Sequence, residues 1–189
     1  MDNNYVLTVI IPVYNTDKYI ERCINSVVNQ SLKNIRIVAI DDASTDMSWD
    51  ILRKYAEVDN ILVARNNNNI GQGATRNLGL KYVNTKYFCF LDSDDWVDIN
   101  AYKRAINSLE SHGECDIAVF GIKTEYDNYS LSNVRYQYED NIVSGEFAIS
   151  LLTHENAQES YISALLGNKV FRSHSLSHFS FLPLLFCKY

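Results

Sequence analysis

The chain is short of the residues that break regular structure, with two prolines and seven glycines among 189 residues. Only 21% of it is charged against 47% apolar, which excludes a disordered or collagen-like polymer. Positive charge is also scarce. Seventeen Lys and Arg against 23 Asp and Glu leave a formal charge of −6. That argues against nucleic-acid binding, which needs a basic surface to neutralise phosphates. No apolar run approaches the roughly 20 residues that span a bilayer. The start, Met1-Asp2-Asn3-Asn4, is acidic and polar and does not read as a signal peptide. Cys23, Cys89, Cys115 and Cys187 are far apart, contain no C-x-x-C pair and read as free thiols. The expectation is a cytoplasmic protein, with contact to the inner face of a membrane left open.

What is present is an alternation of two periodicities. Val6 to Ile11 is a continuous apolar run rich in β-branched residues, as in a strand covered on both faces. Tyr19, Ile20, Cys23, Ile24, Val27 and Val28 then recur at helical spacing. Ile35 to Ile40 reads as the second strand, and Trp49, Leu52 and Tyr55 as the second helix. Ile61 to Ala64, a helix striped by Ala74, Leu78 and Tyr82, and Tyr87 to Leu91 follow. Tyr102, Ala105, Ile106 and Leu109 stripe a fourth helix, and Asp116 to Phe120 closes the pattern as a strand. The fold class is therefore α/β, with a mostly parallel sheet and helices on both faces. Beyond Gly121, Ile122 to Tyr126 and Arg135 to Tyr138 read as strands joined by a polar loop, and Gly145 to Leu152 as a short helix. No linker separates these parts. Residues 1–120 and 121–189 are expected to be two portions of one domain.

In an open parallel sheet, ligands collect beyond the carboxyl ends of the strands. Three polar clusters fall there: Pro12-Val13-Tyr14-Asn15, Asp41-Asp42-Ala43-Ser44-Thr45-Asp46 and Asp92-Ser93-Asp94-Asp95. Asp92, Asp94 and Asp95 would repel one another unless a cation lay among them. A hard divalent ion, held by one or two carboxylates and by substrate phosphates, answers that repulsion. The competing reading is a helix start, where acids are favoured. It weighs more for Asp95 and Asp98 than for Asp92 and Asp94. The doubled Asp41-Asp42 supplies more acceptors than a helix cap needs. Tyr14 offers a ring for stacking on a base. Asn69-Ile70-Gly71 through Arg76-Asn77 combines a permissive backbone with a cation entering a helix, which suits a phosphate. A plain ion-pair role for Arg76 stays equally open.

Read together, VIIPVYN (Val9 to Asn15), IDDASTD (Ile40 to Asp46), NIGQGATRNLGL (Asn69 to Leu80) and FLDSDDW (Phe90 to Trp96) resemble the motifs of the family 2 glycosyltransferases. These enzymes have the GT-A fold and use nucleotide-sugars. The resemblance covers roughly residues 5 to 120. It implies transfer of a sugar from a UDP-sugar to an acceptor hydroxyl with inversion, in polysaccharide or glycolipid assembly. It implies that Pro12, Tyr14 and Asn15 border the nucleotide and that Asp42 bonds the edge of the base. Asp92 and Ser93 lie at the ribose side, Arg76 belongs to the donor site, and Asp94 holds Mn2+ or Mg2+ on the diphosphate. A carbohydrate or a lipid-linked molecule is the implied acceptor.

Members of that family carry a catalytic base, often a Glu-Asp pair, some 20 or more residues beyond a stretch like Gly167 to Arg172. Here 17 residues follow that stretch and none is acidic, so no base is assigned. Glu155 and Glu159 are the nearest upstream acids and read as solvated helix positions. The expectation is a chain cut near its catalytic end. Its alternative function is a nucleotide-sugar-binding module without turnover. A sugar nucleotidyltransferase would need a glycine-rich basic loop where Pro12 to Asn15 stands. The apolar stretch Phe179 to Phe186 leaves pairing with a second copy, or with a membrane surface, open.

Overall fold

The fold is seen in a computed structural model, which describes residues 5–126, 129–132 and 167–178. Its chain order is β1 (Leu7–Val13), α1 (Ile20–Val28), β2 (Ile35–Asp41), α2 (Ser48–Leu52), β3 (Ile61–Arg65), α3 (Gln72–Leu80) and β4 (Tyr87–Phe90). Then come α4 (Ala101–Ser111), β5 (Ile117–Val119), β6 (Lys123–Tyr126), β7 (Tyr129–Ser132) and β8 (Lys169–Arg172). Six strands form one sheet in the order β3-β2-β1-β4-β8-β5. Neighbours from β3 to β4 are parallel, and β8 runs antiparallel between β4 and β5. This is the mostly parallel sheet that the alternation predicts, with the GT-A arrangement. Residues 169–172 sit between two strands of the first 120 residues, so that portion of the chain completes the same sheet.

The residue pattern explains the layers. Every residue of β1 is buried, as its mostly apolar run requires of a central strand, with the Thr8 hydroxyl paired to that of Thr85 at 2.7 Å. One face of the sheet packs against α1 and α4 through Ile20, Cys23, Ile24, Val27, Tyr102, Ala105, Ile106 and Leu109. The other carries Ile10, Phe88, Phe90 and Phe171, packed against Leu80 and Val83 of the α3 region. The Phe88 and Phe171 rings stack with centroids 5.1 Å apart. Tyr19 and Val28, which the helical stripe includes, stay about half exposed at the two ends of α1.

Three expectations change. Pro12 is not a loop residue but a buried member of β1. The Val13 carbonyl accepts from Asp42 on the β2 side and the Ile10 carbonyl from Leu91 on the β4 side. Alternation therefore turns the Pro12 nitrogen toward β4, whose pairing stops at Ile10↔Phe90, so the missing N–H breaks no ladder bond. The buried residues of α3 are Thr75 and Gly79, not Ala74, Leu78 and Tyr82. A Cβ on Gly79 would lie 2.3 Å from Ile10 Cγ2, so the helix backbone rests directly on β1 and its larger side chains turn to the rim. Finally, β6 pairs with Tyr129–Ser132 in a tight hairpin. Arg135 to Tyr138 and Gly145 to Leu152 lie outside the described residues.

Candidate functional site

The loops leaving β1, β2 and β4 meet at the carboxyl edge and are laced by hydrogen bonds. Asn15 takes a left-handed backbone (φ 51°), as does Ala43 (φ 59°), and these two turns face each other. The Asn15 N–H donates to Ser44 Oγ at 3.0 Å, and Asn15 Oδ1 accepts from the Thr45 N–H at 2.8 Å. The Thr16 N–H donates to Ser48 Oγ at 2.8 Å, and the Asp17 N–H to Asp46 Oδ2 at 3.1 Å. Burial pushes the Asp46 carboxyl up, but its bonds from Ser48 and Asp17 outweigh this and hold it below its ordinary value. Thr16 Oγ1 donates onward to Ser93 Oγ at 3.0 Å, tying the β1 loop to the acidic loop after β4. Tyr14 stands 46% exposed on this edge, free of the core and available for stacking.

Asp41 and Asp42 are both buried, with different partners. Asp41 Oδ2 accepts from Arg65 Nε at 3.1 Å and from the Ser44 N–H at 3.1 Å. Arg65 also donates to the Ser44 carbonyl at 2.9 Å, so one guanidinium clamps both ends of the turn at Ala43. Asp42 Oδ1 accepts from Asn66 Nδ2 at 2.8 Å and the Ile70 N–H at 3.0 Å, and Oδ2 accepts from the Gly71 N–H at 2.8 Å. The sequence reading left a carboxylate of this pair open for a ligand. In the fold, both shape the 42–46 and 66–71 loops, while Asp41 Oδ1 is buried without a hydrogen-bond partner among the described residues and Asp42 Oδ2 accepts a single bond. Gly71 caps α3 at φ 89°, a conformation that glycine permits.

Asp92 faces the same helix start from the other side. Its Oδ1 accepts from Arg76 at 2.6 Å and from Gln72 Nε2 at 3.2 Å. Consecutive residues Gly71 and Gln72 thus touch Asp42 and Asp92, so these two carboxylates flank the first turn of α3. Arg76 has its guanidinium 5.9 Å from the Phe90 ring and is engaged with Asp92 rather than standing open for a phosphate. Ser93 is buried, whereas Asp94 and Asp95 are exposed. Among the described residues, nothing donates a hydrogen bond to the Asp94 carboxylate. Burial, with the charges of Asp94 and Asp92, raises the Asp95 carboxyl above its usual range. A nearby cation would relieve such crowding. Among the described residues, no three His, Cys, Asp or Glu groups converge as a ready cage. Exposed carboxylates short of a cage suit a hard ion that completes its shell with water and phosphate oxygens.

Two supports come from outside the three motifs. The acidic loop is fixed downstream on α1, where Gln30 Nε2 donates to the Asp98 carbonyl at 2.7 Å and Arg22 stacks on Trp96. On the other flank, Gly167 places its backbone beside Asp95, since a Cβ there would lie 3.9 Å from Oδ2. Lys169, Thr16 and Arg65 had no individual signal in the sequence, because their roles depend on which strands become neighbours.

Fold and edge together define an α/β protein of the GT-A class. The sequence matches the model of glycosyl transferase family 2 over residues 8–173, and the chain belongs to that family. It is 30% identical over 164 residues to the putative glycosyltransferase EpsH of Bacillus subtilis, covering 87% of this chain and 44% of that protein. It is 37% identical over 113 residues to glycosyltransferase GlyA of Streptococcus pneumoniae, covering 60% and 16%. The structure of Staphylococcus aureus TarS residues 1–349 in complex with UDP-GlcNAc superposes with a TM-score of 0.70 at 24% identity, over 92% of this chain and 47% of that one. The same TarS fragment in complex with UDP gives a TM-score of 0.63 at 26% identity, over 92% and 48%. The chain spans less than half the length of each of these proteins. Among the described residues, no helix is long and apolar enough to cross a membrane. Cys23, Cys89 and Cys115 are free thiols.

Proposed function

We propose that this chain binds a UDP-sugar at the carboxyl edge of its sheet and serves transfer of the sugar to an acceptor hydroxyl with inversion, in assembly of a surface polysaccharide or glycolipid. The observation that carries this reading is the convergence of Asp42 and Asp92 on the first turn of α3, inside a frame of laced loops. Tyr14 supplies the stacking ring for the base, beside Asn15. Asp42 shapes the pocket for the base edge and offers its remaining lone pair to it, while Pro12 supports the turn from within β1. Asp92, oriented by Arg76 and Gln72, faces the ribose, with Ser93 behind it. Asp94 would hold Mg2+ or Mn2+, and that ion, when bound, would supply Lewis-acid stabilisation of the charge on the departing diphosphate.

In the transfer, the acceptor oxygen forms a bond to the anomeric carbon as the bond to the diphosphate breaks. The electron pair leaves with UDP, and the acceptor proton goes to a base. The TarS complexes with UDP-GlcNAc and UDP support the choice of uridine among the nucleotides. A cytoplasmic setting, at or near the inner face of a membrane, goes with this reading. A second reading is donor binding without turnover, since no residue of the described edge is assigned as the base.

Titration calorimetry with UDP-sugars, with and without Mn2+, tests the proposal when paired with hydrolysis and transfer assays. Metal-dependent binding with turnover is expected. Binding without turnover toward any acceptor supports the second reading, and no binding even with metal overturns both.

A further inference from the structure

We propose that Lys169 is a donor-contacting residue whose ammonium meets the diphosphate of the bound UDP-sugar. The inference rests on the donor-binding reading above and deepens it. Because β8 runs antiparallel to β4 and β5, its first residues lie at the edge where the parallel strands end. Gly167 marks that edge by its approach to Asp95. Lys169 Nζ donates to Asn168 Oδ1 at 2.9 Å, and Asn168 Nδ2 donates to the Phe120 carbonyl beyond the end of β5 at 2.8 Å. The ammonium therefore leans back toward the site edge instead of running down the sheet.

Strand alternation sets Lys169 on the same face as Phe171, whose ring packs on Phe88 and Phe90. Arg76 lies over Phe90 on that face. Arg76 and Lys169 thus belong to one face of the sheet, the face from which Arg76 reaches Asp92. Lys169 is only 9% exposed, and burial lowers its ordinary value to about 8. Keeping an ammonium where valine or leucine would carry a lower desolvation cost calls for compensating hydrogen bonds and opposite charge, and a diphosphate supplies such charge. A compact positive charge at this place matches the charge that grows on a departing diphosphate.

The test is calorimetric titration of the full chain with uridine and with UDP, both in Mn2+, for the unaltered protein, Lys169→Met and Lys169→Arg. Lys169→Met is expected to weaken UDP about tenfold, the loss of one charge-assisted contact, with uridine unchanged. Lys169→Arg is expected to recover most of the loss. Equal weakening of uridine and UDP, or no weakening of either, overturns the inference. If the unaltered chain binds neither ligand, the donor-binding reading itself fails. Should Lys169→Met not fold, NMR of the lysine side-chain signals decides, with the Lys169 signal assigned through Lys169→Arg. That signal is expected to shift with UDP and not with uridine, and a signal that UDP leaves in place overturns the inference.

Discussion

The two acidic stretches of this edge are built on opposite principles. Asp41 and Asp42 are buried, and their oxygens accept from Arg65, Ser44, Asn66, Ile70 and Gly71. Asp94 and Asp95 are exposed and crowd each other, with Asp95 raised by burial and by its neighbours' charges. Asp92 stands between the two types, tied to Arg76 and Gln72. A carboxylate satisfied by fixed donors stabilises its loops before any ligand arrives. One left beside like charges stores repulsion that a cation can relieve. In the proposed reading, the first stretch is scaffold and pocket wall together, and the second is a receptor for charge.

The largest expected effect follows from the first half of this contrast. Asp42→Ala removes the acceptor of the Ile70 N–H and one of two acceptors from the Gly71 N–H and from Asn66 Nδ2, which keep Asn69 Oδ1 and Thr75 Oγ1. Loss of three charge-assisted bonds in a buried turn is expected to cost about 2–4 kcal/mol in denaturant unfolding. The 66–71 loop should lose amide protection in hydrogen exchange. An Asp42→Ala protein with unchanged stability would show that the loops are held by something else.

Arg65→Met probes the neighbouring clamp. Asp41 is fully buried, so removing its cation leaves an uncompensated charge. Arg65 is itself 39% exposed, which lets water screen part of the loss, and about 2 kcal/mol is expected in the same unfolding measurement. Uridine binding should weaken with it, because Arg65 also holds the Ser44 carbonyl of the turn that faces Asn15. Thr16→Val cuts the hydroxyl bridge from the β1 loop to the second stretch at nearly constant volume. About 1 kcal/mol is expected, with the loss shared between the β1 loop and the Asp92–Asp95 loop in hydrogen exchange. Exchange confined to one loop would mean that the two are not coupled through Thr16.

The difference between the stretches also explains what could be read from the sequence. The strands of the central sheet were legible because β1, β2 and β4 are mostly apolar, interrupted only by Thr8, Arg36 and Asp41, with no competing period. Acidic residues at strand ends were legible because parallel topology fixes where strand ends point. The buried face of α3 was not, since Gly79 packs by having no side chain and so leaves no mark in a hydrophobic stripe. The place of β8 was not legible either. Four residues, Lys169–Arg172, carry no period of their own, and their position between β4 and β5 is decided by pairing with strands more than 45 residues away. Which oxygen of Asp42 meets which donor depends on a loop that passes over it, and sequence spacing does not encode that crossing.

The smallest effect on stability is expected where the charge is least satisfied. Asp94→Asn keeps the shape of the side chain and removes one of three neighbouring negative charges. No hydrogen bond among the described residues is lost with it. Unfolding should therefore change by less than about 0.5 kcal/mol, and in the stabilising direction if repulsion with Asp92 and Asp95 is relieved. The same substitution should abolish the difference between UDP binding with and without Mn2+, while uridine binding stays as it was. A stable fold, an intact base pocket and a lost metal response form a combination that a scaffolding carboxylate cannot produce, as Asp42→Ala would show beside it. If Asp94→Asn instead unfolds the chain, or leaves the metal response in place, the division between a structural and a charge-receiving stretch fails at the residue on which it most depends.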